Sequence, residues 1–197
     1  MILLRCDTWY AACYPKGVTA SQTISRVDWA VRAEAPAAVI YSFVPAGGAE
    51  GARSESRRAV RQLLEAIGVY LADAGDDRTV LLADFSGSQT QSSSSIICKD
   101  LSDADPAEAT EAIRVSQAVF LVTTTDPASV QDACAHAAWL RYVLGSLQRD
   151  DACGLLLVPT PGGIPEVEAE HRIGLPMCGV LRTTEHTAQL ARWIAQD

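Results

Sequence analysis

Short, continuous apolar runs recur along the chain at intervals of roughly twenty to forty residues. They cover residues 37–44, 80–84, 118–122, 154–158 and 177–181, with a further short run at Ile96-Ile97-Cys98. The first is bounded by Pro36 and Pro45. Runs of this length without polar alternation predict strands covered on both faces. Between them the apolar period changes to that of a helix. Val60, Leu63, Leu64, Ile67 and Leu71 fall on one face, as do Val130, Ala133, Cys134, Ala137, Leu140, Leu144 and Leu147, and then Leu190, Ala191 and Ile194. Helix starts are marked by Ser54, by Asp105-Pro106-Ala107-Glu108, by Asp126-Pro127 and by Thr184. The second of these has a side-chain cap, a proline at the first helical position and a glutamate at the third.

Strand, glycine-rich loop, helix and strand within about fifty residues make a βαβ unit, which requires parallel pairing. The alternation runs from residue 36 to 197 and predicts an α/β fold, three-layer α/β/α with a mostly parallel sheet. Residues 1–35 read as an N-terminal extension with one helix over 21–33, where Ile24, Val27 and Val31 keep helical spacing. Ser86–Ser95 is polar and low in complexity, and is expected to be a mobile loop. There is no internal repeat and no sign of a second core.

Charge and composition narrow the functions. In 197 residues, 16 basic against 24 acidic side chains give a net charge of −8, which argues against DNA as a partner because phosphate-backbone binding needs a basic surface. No run approaches the ~18–20 apolar residues of a transmembrane segment. The first residues have no charged region leading into a long apolar core, so no signal peptide is expected. The six cysteines form no CxxC pair and several lie inside apolar runs, which fits small buried hydrophobes in a reducing, cytoplasmic compartment. Lys16 and Lys99 are the only lysines, so any chemistry that needs one has two candidates.

In an open parallel sheet, ligands bind beyond the carboxyl ends of the strands. Five loops meet that condition: 45–53, 85–95, 99–105, 123–127 and 159–165. The first is the sharpest, because glycines between a strand and a helix let backbone N–H groups cradle phosphate. Gly47, Gly48, Gly51, Arg53 and Ser54 are its candidate binding residues, and Ser54 the cap of the following helix. Arg53, Arg57 and Arg61 form one row with Arg58 beside it. They suit a phosphate or an acidic partner, or else a solvated face paired with Glu50, Glu55 and Glu65. Asp84 ends a strand, where a polar residue also simply meets solvent. Glu166, Glu168, Glu170 and His171 read as a solvated acidic stretch, not a metal site. His136 and His186 have no nucleophile near them in sequence, and Phe85-Ser86-Gly87-Ser88 is not a hydrolase elbow.

Four segments together carry a family resemblance. They are Val39-Ile-Tyr-Ser-Phe-Val-Pro-Ala-Gly-Gly48, Val80-Leu-Leu-Ala-Asp-Phe85, the stretch 116–130 ending Thr-Asp-Pro-Ala-Ser-Val130, and Gly174-Leu-Pro-Met-Cys-Gly-Val-Leu181. Over residues 36–190 the chain resembles the MinD/ParA-like deviant P-loop ATPases, most of all the CpaE/TadZ pilus-assembly branch. The resemblance implies a P-loop NTPase-like domain with a shortened middle section. It implies ATP and Mg²⁺ as cofactors, with Asp84 and Asp100 as the candidate catalytic acids. It also implies protein partners: a homodimer, or envelope and pilus machinery. The chain departs from the family pattern where it matters for catalysis. Ala46 stands at the signature-lysine position, Ala52 or Arg53 replaces the second lysine, and no lysine occurs in the loop or the following helix. Lysine neutralises the β/γ-phosphates there. The expected function is a catalytically degenerate member acting as a regulatory, positioning or assembly factor. The alternative is an active ATPase with a remodelled loop.

Overall fold

The structure, a computed structural model, describes residues 39–75, 79–83, 95–149 and 152–195. The extension 1–35 with the helix expected in it, Asp84, and the polar loop up to residue 94 lie outside the described residues.

The elements in chain order are β1 (Val39–Pro45), α1 (Glu50–Asp73), β2 (Thr79–Ala83), β3 (Ser95–Asp100), α2 (Pro106–Val115), β4 (Ala118–Thr124), α3 (Pro127–Ser146), β5 (Cys153–Val158), α4 (Glu166–Ile173), β6 (Met177–Val180) and α5 (Thr184–Ala195). The described strands form one sheet in the order β2-β3-β1-β4-β5-β6, and every neighbouring pair is parallel. The first βαβ unit is therefore parallel, but β3 is inserted between β1 and β2. The expected α/β class with helices on both faces is the observed one.

Strand alternation sends successive side chains to opposite faces. Tyr41, Phe43, Cys98, Phe120, Val122 and Leu156 pack under α1 and α5. Val44, Val119, Leu121, Leu155 and Leu157 pack under α2, α3 and α4. Phe120 is the centre of the first layer, with ring centroids 5.4 Å from Phe43, 6.1 Å from Tyr41 and 6.3 Å from Trp193.

The helix starts confirm some sequence signals and correct others. Asp105 accepts from the N–H groups of Ala107 and Glu108, while Glu108 reaches back to the Asp105 N–H, completing the capping box. Asp126 accepts from the Ser129 N–H at 3.1 Å. Ser54 is not a cap: α1 already begins at Glu50 behind Ala49, and Ser54 is an exposed residue within it. The cap of α5 is Thr183, whose hydroxyl accepts from the His186 N–H, rather than Thr184. Helix α4 was not anticipated from periodicity, since its buried positions are only Ala169 and Ile173. Its signals are terminal instead: Pro165 before it, Glu166 and Glu168 in the first turn, and Gly174 at φ 72° after it.

Candidate functional site

The glycine loop is shorter than its composition suggests. Only residues 46–49 separate β1 from α1, so Gly51 and Arg53 are helical. Both backbone polar groups of the loop's first residue are tied down. The Ala46 N–H donates to the Val122 carbonyl at 2.8 Å, and the Ser56 hydroxyl donates to the Ala46 carbonyl at 3.0 Å. Ser56 is wholly buried. A Cβ on Gly47 would lie 2.5 Å from the Arg53 amide nitrogen, and one on Gly48 would lie 2.8 Å from the Ala128 carbonyl oxygen. These two glycines let the loop pass against the first turns of α1 and α3. Gly51 faces open space, so nothing in the fold demands a glycine there.

The Gly47 N–H has a partner from across the fold. It donates to the Asp132 carboxylate of α3 at 2.9 Å. Asp132 in turn lies beside His136, whose Nδ1 is 3.6 Å from the carboxylate and 3.1 Å from the Asp132 carbonyl oxygen. An acidic group therefore holds the N–H that the sequence assigns to a phosphate.

Of the two candidate acids, Asp84 lies outside the described residues. Asp100 ends β3 in register with Phe43 of β1, which brings it to the same carboxyl edge as the glycine loop. Its carboxylate accepts from both the N–H and the hydroxyl of Ser102, forming a local turn. Lys99 alternates with Cys98, so it belongs to the sheet face opposite α1. Burial pulls its ammonium below the usual lysine range, and Glu111 of α2 opposes that shift.

Between this loop, α2 and α3 lies a cavity of about 470 Å³. Val44, Leu101, Ala109 and Trp139 supply apolar walls, and Arg53 and His136 supply polar groups. Arg57, one turn on from Arg53, pairs with Asp103 of the β3–α2 loop at 2.5 Å, and Arg58 pairs with Glu55 at 3.1 Å.

The three glutamates of the acidic stretch make local contacts. Glu166 pairs with Arg182, Glu168 with Arg172, and Glu170 accepts from the Met177 N–H. Among the described residues no group of three His, Cys, Asp or Glu side chains could hold a metal ion. Loop 159–165 is laced to the end of β4: Thr125 Oγ1 accepts from the Thr160 N–H at 2.8 Å and the Thr125 carbonyl from the Ile164 N–H at 2.9 Å. No described helix is long and apolar enough to cross a membrane.

No protein-family model matches the chain, and no curated protein matches it. Among solved structures it is similar to the MinD cell division protein of Aquifex aeolicus. That likeness has 10% sequence identity and a TM-score of 0.47, and covers 81% of this chain and 86% of that chain.

Asp132 and Trp139 were not singled out by the sequence. With His136 they stand at i, i+4 and i+7 on an alanine-rich helix, a spacing that a reader could have marked as a polar and aromatic stripe. Nothing in that stripe points to Gly47, 85 positions earlier.

Proposed function

We propose that this chain is a catalytically degenerate MinD/ParA/CpaE-like protein that acts as a regulatory, positioning or assembly factor through protein–protein contacts. The observation that carries this reading is the Gly47–Asp132 contact. A phosphate cradle works through free backbone N–H groups and a nearby cation. Here the N–H is taken by a carboxylate, which would repel a phosphate brought to the same place. The Ser56 hydroxyl is wholly buried and donates to the Ala46 carbonyl. A magnesium nucleotide placed as in the family does not fit these groups.

On this reading the protein works as a homodimer or against envelope machinery, in the cytoplasm, and its surfaces carry the function. The test is calorimetric titration with ATP and ADP, with and without Mg²⁺, beside a turnover assay. The expected result is no hydrolysis, and affinity no tighter than about 0.1–1 mM, or about 4–5.5 kcal/mol of binding free energy. Mg²⁺-dependent turnover that disappears in Asp84→Asn or Asp100→Asn would establish the alternative, an active ATPase with a remodelled loop. Tighter nucleotide binding in Asp132→Asn than in the parent would show that the carboxylate is what closes the loop.

A further inference from the structure

The 470 Å³ cavity beside the glycine loop falls within the ~300–1,000 Å³ range of small-molecule sites. Its charge is unusual for a protein of net charge −8. Among the described residues, none of the lining side chains is acidic, while Arg53 and His136 both face it. The carboxylates close to lining residues in sequence do not line it and are engaged elsewhere: Asp100 with Ser102, Asp103 with Arg57, Asp105 with the first N–H groups of α2 and Asp132 with Gly47. Arg57 has Asp103 and Arg58 has Glu55, but Arg53 has no ion-pair partner among the described residues. Arg53 is also the fourth residue of α1, and Ala49 before that helix offers no side-chain cap. A cation there opposes the helix dipole, and an anion beside the Arg53 side chain offsets that cost.

We propose that this cavity is a binding site for a small monoanion with an apolar body, a hydrophobic carboxylate. The apolar walls at Val44, Leu101, Ala109 and Trp139 take the body. The Arg53 guanidinium takes the carboxylate, which its planar fork suits. A single charge matches a single unpaired cation, whereas a polyphosphate would bring more charge than the site offsets. The site does not depend on whether the Gly47 loop has lost its nucleotide, and it goes beyond that reading.

Octanoate is the probe, titrated into the full chain by calorimetry and by protein-observed NMR. Octan-1-ol, inorganic phosphate and ATP are run in parallel. The expected result is one saturable octanoate site per chain, with octan-1-ol binding at least about tenfold more weakly, the size of one charge-assisted hydrogen bond. Arg53→Gln should weaken octanoate by a similar factor and leave octan-1-ol unchanged. Ala135 lines the cavity but is itself exposed, so Ala135→Phe fills the space without disturbing the core and should abolish binding at an unchanged melting temperature. Equal binding of octanoate and octan-1-ol, or octanoate binding that survives Ala135→Phe, would overturn the proposal. So would the absence of octanoate binding. Phosphate or ATP displacing octanoate from the same site would replace it with a phosphate site.

Discussion

The carboxylate of Asp132 lies 2.9 Å from the amide nitrogen of Gly47, joining the start of α3 to the loop between β1 and α1. The contact is half-buried and charge-assisted, so its removal leaves an N–H without an acceptor beside packed backbone. Asp132→Ala should cost about 1.5–2 kcal/mol in urea unfolding, the lower part of the range for hydrogen bonds to charged groups. Asp132→Asn keeps an acceptor oxygen and should cost less than half as much. Equal losses in the two variants would assign the effect to charge rather than to the hydrogen bond.

Two glycines in one helix-and-loop unit should respond oppositely to alanine. At Gly47 the new methyl would meet the Arg53 amide nitrogen at 2.5 Å, and backbone cannot swing away as a side-chain tip can. Gly47→Ala should destabilise by more than about 2 kcal/mol, as overpacking against fixed atoms does. Gly68 lies inside α1, and a Cβ added there would meet open space. Gly68→Ala should stabilise by about 0.5–1 kcal/mol through helix propensity and a less disordered unfolded chain. Thermal melts of the two single variants check both signs.

Ser42 and Ser116 are buried with hydroxyl oxygens 2.7 Å apart. Ser116 donates its only hydroxyl proton to the Ala112 carbonyl at 2.7 Å, so Ser42 supplies the proton between the two. Ser116→Ala therefore leaves a buried donor unpaired and should cost about 1–3 kcal/mol. The double variant Ser42→Ala/Ser116→Ala should cost less than the sum of the singles. Additive losses in the cycle would show that the two hydroxyls do not interact.

Burial pushes the thiols of Cys98 and Cys153 up to about 12 from an ordinary value of 9.0, with Arg141 pulling slightly against this at Cys153. Above pH 9 the unfolded chain gives up these protons while the folded chain keeps them. Their contribution to stability is thus complete below about pH 9 and is lost as pH rises towards 12. The unfolding free energy should fall over that window, and Cys98→Val should reduce the slope. At pH 8, a thiol reagent on the folded protein should modify half-buried Cys134 before Cys98, Cys153 or Cys178.

The sequence by itself determined the strands, the helices other than α4, and the parallel arrangement, because these depend on local pattern. Five unbroken apolar runs demanded strands hidden on both faces, and the capping box at Asp105 stopped and started the chain where its hydrogen bonds required. It did not determine the reach of α1 back to Glu50, since that depends on Gly47 passing against the Arg53 backbone. Nor could local spacing reveal that Ser56 would turn inward to the Ala46 carbonyl while Ser54 stayed in solvent. The strand order was decided by tertiary structure alone: inserting β3 beside β1 brings Asp100 to the glycine loop and leaves β2 at the edge. The same packing carries α3 over that loop, so that Asp132 meets Gly47 and the wall bearing His136 and Trp139 faces Arg53. Periodicity reports which face of an element is buried, but not which distant element will cover it, and the character of this site depends on the second.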